Sequence, residues 1–276
     1  MNKLGNFASL LGCVLTIFQI STGSFQIIIP CILIFIFLCF FYYFWTTNNT
    51  SMQYVIAYKK VQDIHYSIAS NYGKFKSYTL DKSIHELSEI CFQISGMLSE
   101  LKHHEVSVCI KYTNNDGDAY YVKTLCRDPS SNQNRKDLYN DNIKDYIDKN
   151  SDFKEIFKKM EEKKDWKDLY YFSNYLPQKH QYNNTHLKSE VLPDSLFSFW
   201  SRNKKWPLSY KSTVVVPILS DSNKNIYGFL CVDSPKNSGF NKMYDIRLVQ
   251  DIALFLAPTI SLVSETHLKQ YKNGII

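Results

Sequence analysis

Charge is almost absent from the opening of this chain. After Lys3, Leu4–Ser21 carries none, and neither does Phe25–Trp45; the polar break Ser21-Thr22-Gly23-Ser24 separates the two stretches. From Met52 onward the composition is that of a water-soluble protein. Other absences narrow the function. There is no CxxC pair, and His103-His104 are adjacent, so no His or Cys stands at metal-ligand spacing. A phosphate-cradling Gly-rich loop, HExxH and GxSxG are all missing, so no catalytic arrangement is expected and the chain reads as a non-enzyme with no cofactor. The net charge of +6 is diffuse and no basic-aromatic stripe accompanies it, which argues against nucleic acid and suits a face turned toward anionic lipid headgroups.

What is present at the front is apolar. About 20 apolar residues cross about 30 Å of hydrocarbon, and lipid offers backbone groups no partners, so a helix is required. Phe25–Trp45 meets this, with Pro30 in its first turns and Tyr42, Tyr43 and Trp45 as an interfacial belt. The first stretch is shorter. Its small residues Gly5, Ala8, Ser9 and Gly12 suit helix packing in lipid, so a second span is expected; a cleaved signal-peptide core or an interfacial segment is the alternative. Lys3 on one side, with Lys59, Lys60, Lys74 and Lys76 beyond the second stretch, places both ends in the cytoplasm. The expectation is a multi-pass cell-membrane protein with a cytoplasmic C-terminal domain. The sequons at Asn48 and Asn183 then read as accidents of composition. Cys13, Cys31 and Cys39 lie in the spans, while Cys91, Cys109, Cys126 and Cys231 read as small buried hydrophobes in a reducing compartment.

The domain plan is two spans over residues 4–45, a linker helix over 46–77, a cytosolic domain over 78–266 and a tail over 267–276. The linker helix carries the stripe Val55, Ile56, Val61, Ile64 and Ile68, and Asn71-Tyr72-Gly73 is expected to end it in a left-handed cap. Asp81 is the expected N-cap of the next helix, where Leu80, Ile84, Leu87, Cys91, Ile94, Leu98 and Leu101 recur at steps of four and three. Ile246, Val249, Ala253, Leu256, Ile260 and Val263 repeat that rhythm near the end, with Pro258 as a candidate bend. The two seams either pair with each other or a second copy, or cover one face of a sheet. Val106–Tyr112 turns through Asn114–Gly117 into Ala119–Leu125, and Thr213–Leu219 turns into Ile226–Asp233. Hairpins flanked by helices predict an α+β fold. Between them, Asp141–Asn150 and Phe153–Trp166 read as short helices, and Leu176–Ser212 as irregular and aromatic.

The stretch Tyr210-Lys211-Ser212-Thr213-Val214-Val215-Val216-Pro217-Ile218, then Ile226-Tyr227-Gly228-Phe229-Leu230-Cys231-Val232-Asp233-Ser234-Pro235, then Phe240-Asn241 and an apolar helix resembles the closing half of a GAF domain. Asp81–Leu125 fits the opening half. The resemblance implies a mostly antiparallel sheet with the first and last helices on one face and a small-molecule pocket on the other, roofed by the middle section. It also implies dimerisation through those helices and ligands such as cyclic nucleotides or tetrapyrroles. Asn241-Lys242 matches only two residues of the cyclic-nucleotide signature, and a chromophore-attaching Cys beside a His is absent.

Candidate pocket residues cluster before the Val216-Pro217 strand: Phe199, Trp200, Arg202, Lys204, Lys205, Trp206 and Tyr210. Rings there can stack on a base and the cations can pair with phosphate. Trp200, Arg202, Lys205, Trp206, Tyr210 and Asp233 are the ligand-binding set, although Asp233 equally suits a turn cap. Some GAF proteins resemble sulfoxide reductases; Cys126 and Cys231 both end strands, but the cysteine motif of that group is not evident. With no output module after the last helix, the expected function is a membrane-anchored small-molecule sensor, for instance of a nucleotide second messenger. It would signal as a homo-oligomer through its spans in antiviral or stress response. A membrane-tethered adaptor with a vestigial pocket is the alternative.

Overall fold

Side-chain alternation along the strands sets this fold, because it sends every second residue to each face of one sheet. The computed structural model describes residues 25–117, 119–131, 144–179, 182–187, 206–220 and 225–268, together with Gly12 and Thr16. The chain divides into two compact units, Met1–Val55 and Ile56–Ile276.

In the first unit the described chain is helical from Phe25, the start of helix α1, Phe25–Phe75. Ile34, Ile36, Phe37, Phe40, Tyr43, Phe44 and Trp45 are exposed around most of its circumference. Thr46, Thr50 and Ser51 turn their hydroxyls back onto the carbonyls of Tyr42, Thr46 and Thr47, at 2.9, 2.8 and 3.0 Å. The expected first span lies outside the described residues except for Gly12 and Thr16. Residues 46–75 of the expected linker helix are the continuation of α1, and the expected left-handed cap at Asn71-Tyr72-Gly73 is corrected, since the helix runs on to Phe75. Burial of Ile68 and Phe75 holds these last turns helical, outweighing the ~1 kcal/mol that Gly73 costs inside a helix.

In the second unit, α1 buries Ala57, Val61, Ile64, Ile68 and Phe75, while Ile56, expected on that stripe, is exposed. His65 stacks on Phe255 with ring centroids 3.9 Å apart. Helix α2, Leu80–Lys102, is capped by Thr79, whose hydroxyl accepts the Lys82 N–H at 3.3 Å. The expected cap, Asp81, sits instead in the first turn, where its charge favours the helix dipole.

Among the described residues, six strands form one antiparallel sheet in the order β3-β2-β1-β6-β5-β4. They are β1 Ser107–Asn115, β2 Tyr120–Arg127, β3 Asp145–Tyr146, β4 Tyr171–Ser173, β5 Ser212–Leu219 and β6 Ile226–Ser234. Helix α3, Ser151–Glu161, precedes β4, and α4, Asp245–Val263, follows β6. The fold is therefore α+β, as expected.

Both apolar seams lie against the sheet: α2 packs on β1 and β2, and α4 on β5 and β6. Leu87, Cys91, Ile94 and Leu98 of α2 are buried, as are Ile246, Val249, Ala253, Leu256, Ile260 and Val263 of α4, which runs through Pro258. Asp245–Thr266 is long and apolar enough to cross a membrane, yet 61% of it is buried within the domain, as befits a core helix. The opposite face carries a second core of Val122, Ile147, Phe153, Ile156, Tyr171, Leu176, Trp206, Val215 and Phe229.

The middle section departs from its reading. The end of the expected Asp141–Asn150 helix is the short strand β3 followed by a 3-10 turn, Ile147–Lys149. The expected Phe153–Trp166 helix is α3, displaced toward the N-terminus, and β4 stands where no strand was expected.

Candidate functional site

Strand parity places polar side chains on the sheet face away from α2 and α4. Val108, Ile110, Val214, Val216, Leu230 and Val232 occupy one parity and are buried under those helices. The other parity brings Cys109 and Lys111 of β1, Thr213 and Val215 of β5, and Cys231 and Asp233 of β6 to the floor of a cavity. Arg127 closes β2 beside them, Asp145 comes from β3, and Asp152 and Phe153 from the first turn of α3. Asn184, His186 and Tyr210 complete the wall.

The wall segment 182–187 is clamped to the start of α3. Asn150 donates its amide to the Thr185 hydroxyl at 2.8 Å and accepts the Thr185 N–H at 3.0 Å. Asn183 accepts the Ser151 N–H at 3.0 Å and donates its own N–H to the Ser151 hydroxyl at 2.8 Å. These reciprocal bonds satisfy orphan groups at the helix N-terminus and fix His186 and Asn184 at the rim.

Charge inside is dense and of both signs. Lys111 Nζ lies 2.6 Å from Asp145 Oδ2, and His186 Nε2 lies 3.4 Å from Asp145 Oδ1. Burial opposes ionisation of Asp145, but the close approach of His186 and the Lys111 charge win and hold its carboxyl well below the usual carboxylate range. Burial likewise works against Lys111, and the Asp145 charge outweighs it, raising the ammonium pKa. Thr213 donates its hydroxyl to Asp233 at 2.7 Å. Asp152 differs: burial pushes it up to about 7, and the Phe153 N–H that it accepts at 2.9 Å offsets only part of that. Cys109 is pulled down to about 7, chiefly by the neighbouring Cys231 thiol.

The folded pKa of Asp152 is raised above the ordinary 3.8, so the folded state holds the proton more tightly. The stability it confers is full below pH 3.8 and is lost as pH rises toward 7, on the order of 4 kcal/mol in all. Asp145 contributes in the opposite sense, its stabilisation being lost from about pH 5 downward, so it touches only the acid end of the window. Denaturant melts from pH 4 to pH 8 should show wild type losing stability across that window and Asp152→Asn losing little.

The sequence-based candidates are divided. Tyr210 and Asp233 line the cavity. Trp206 is buried in the second core, packs on Tyr182 with centroids 6.3 Å apart, and donates its indole N–H to the Tyr210 carbonyl at 2.6 Å, so it positions Tyr210. Asp233 lies within β6, which runs on to Ser234. Trp200, Arg202 and Lys205 lie outside the described residues, as do Phe199 and Lys204. Sequence reading missed Lys111, Arg127, Asp145, Asp152 and His186. The one legible signal was a lysine inside an otherwise apolar strand. Of Cys126 and Cys231, both expected to end strands, Cys231 lies inside β6, and the two have different neighbours: Cys126 meets Cys91 with sulfurs 3.8 Å apart, and Cys231 stands opposite Cys109.

No family model and no curated protein matches this chain. Solved structures similar to it include the free methionine-R-sulfoxide reductase of Neisseria meningitidis in complex with its substrate, at 11% identity and TM-score 0.45, covering 77% of this chain and 92% of that one. The GAF domain of an Acinetobacter phosphoenolpyruvate-protein phosphotransferase aligns at 11% identity and TM-score 0.44, covering 76% and 96%. Its counterpart from Coxiella burnetii aligns at 10% and 0.43, covering 79% and 98%. Likenesses this distant carry no argument about activity. The antiparallel sheet, with helices on one face and a cavity on the other, is itself a GAF-like arrangement.

Proposed function

We propose that this chain is a membrane-anchored sensor of a compact polar ligand, bound in the cavity between the sheet and α3. One observation carries the reading. Asp152 is buried in a wall that also holds Lys111, Arg127 and Asp233, and its carboxyl is kept from ionising chiefly by burial, with the Asp233 and Asp145 charges adding to it. A ligand presenting an ammonium or a strong hydrogen-bond donor there would relieve that cost, while Arg127 offers a planar fork to an acidic group on the same molecule. The cavity volume is about 40 Å³, room for about three waters. A nucleotide second messenger therefore requires the wall to open, and a smaller ligand does not. The exposed apolar girth of α1 before Trp45 supports the membrane anchor. The output we propose, a ligand-dependent change in the membrane segment of a homo-oligomer, would suit an antiviral or stress-response effector. It requires different ligand affinities in two states.

The full chain in detergent micelles, screened by thermal shift against amino acids, small amines and cyclic nucleotides, tests this. Only binding to the native state raises stability, by about 2.7 kcal/mol at a hundredfold excess over Kd. An ammonium ligand should stabilise the chain more above pH 7 than below it, because Asp152 must give up its proton, and Arg127→Ala should weaken an acidic ligand. A flat response to every ligand would favour the second reading, a tethered adaptor. The Lys111–Asp145 pair supports that reading, since it occupies the cavity with the protein's own charges.

A further inference from the structure

The cavity floor holds two thiols. Cys109 and Cys231 stand directly opposite each other in the antiparallel β1–β6 pair. Opposed residues of such a pair have Cα atoms about 4.5–5.5 Å apart, within the ~4.4–6.8 Å that a disulfide spans. Both line the cavity beside Lys111 and Arg127, and its volume admits molecules only slightly larger than water.

The two sulfurs are unequal. The neighbouring Cys231 thiol, aided by the Arg127 and Lys111 charges and opposed by burial and Asp233, pulls the Cys109 thiol down to about 7. The neighbouring Cys109 sulfur and burial drive the Cys231 thiol well up. Of the cavity's other ionisable groups, Asp145 and His186 engage each other, and Asp152 is held neutral below about pH 7. A thiolate beside cations is a nucleophile, and a neighbouring thiol resolves what it forms. Cys91 and Cys126 provide the contrast. Their sulfurs lie 3.8 Å apart under α2, outside the cavity lining, and the Cys91 thiol is raised well up by its bond to Cys126 and by burial.

We infer that the floor of this cavity is a two-electron redox site, in which Cys109 reacts with a small hydroperoxide and then closes a cross-strand disulfide with Cys231. The Cys109 thiolate attacks the terminal peroxide oxygen and the O–O bond breaks. The leaving alkoxide or hydroxide takes the proton that the Cys109 thiol gave up. Cys109 becomes a sulfenic acid, oxidised by two electrons, and the peroxide is reduced to an alcohol or water. Cys231 then attacks the Cys109 sulfur, the S–O bond breaks, and hydroxide leaves with the Cys231 proton as water. The sum is two thiols and one hydroperoxide giving one disulfide, one alcohol (or water) and one water.

The inference uses the walls of the cavity and not its occupant, so a chain that binds no ligand can still satisfy it. The test is hydrogen peroxide added to the reduced full chain in detergent micelles, followed by timed alkylation and non-reducing peptide mapping. The Cys109–Cys231 peptide should appear first, about tenfold faster at pH 8 than at pH 6 as the thiolate fraction of a group titrating near 7 requires. Cys91 and Cys126 should remain alkylatable after unfolding. In Cys231→Ala a 1,3-dione should trap the sulfenic acid on Cys109, and in Cys109→Ala the thiol of Cys231 should persist. Oxidation of Cys91 and Cys126 at an equal or greater rate would overturn the proposal. So would a Cys109–Cys231 link that forms only under denaturant, and either result is available from wild type if a variant does not fold.

Discussion

Gly228→Ala is expected to cost about 3 kcal/mol or more and to abolish whatever the cavity binds. A β-carbon at this position would stand 2.1 Å from the Lys111 carbonyl oxygen, 3.1 Å from its carbonyl carbon and 3.2 Å from Tyr112 Cα. All three are backbone atoms of the adjoining strand, so no rotamer change relieves the clash; β1 and β6 must separate. Gly228 pairs with Tyr112 in that register, one step from Lys111. Moving the strand shifts the Lys111 ammonium away from Asp145 and opens the charged floor. Urea melts of wild type and variant should differ in midpoint with a similar slope. A variant of unchanged midpoint would mean that the two strands tolerate the extra methyl and that their spacing is not fixed here.

Lys102→Met should rank next, with a loss of about 3 kcal/mol and a fall in Tm of roughly 10 °C for a domain this size. Lys102 ends α2 and lies 2.5 Å from Asp245, which opens α4 and is fully buried. Burial lowers the Lys102 ammonium pKa, and Asp245 pulls it back only in part. Removing the cation takes the charge partner from a carboxylate in a dry site, which also accepts the Asn241 N–H at 2.6 Å. Asp245→Asn in the Lys102→Met background should recover part of the loss, because it removes the stranded charge. Differential scanning calorimetry of the single and double variants separates a charge effect from a packing effect: no recovery in the double variant would assign the loss to the lysine's aliphatic stem.

Much of the sheet was legible because its long strands alternate. Val106–Tyr112 and Thr213–Leu219 announce themselves by period and by the turn residues that bound them; the first lies within three residues of the strand observed at either end and the second within one. β3 and β4, of two and three residues, exist only because Tyr121 and Val122, or Thr213 to Val215, are there to pair with them. No local pattern can announce a strand that its partner creates. Thr79 won the cap over Asp81 by lying one step before the first helical residue, a distinction finer than propensity resolves. The site divides for the same reason. Tyr210 and Asp233 were found because one precedes and the other lies in a strand with a recognisable pattern, whereas Asp145, Asp152 and His186 meet Lys111 only after the sheet order is known. The pairing of Cys109 with Cys231 likewise depends on β1 lying beside β6.

The parity that divides cavity from core also constrains how this chain can evolve. Inserting one residue within β6 past Gly228 would trade Cys231 and Asp233 for Leu230 and Val232, greasing the chamber and driving a carboxylate beneath α4. Lineages can therefore retune the chamber by exchanging side chains or by slipping two positions at a time. A solitary codon gained or lost in that strand should be purged.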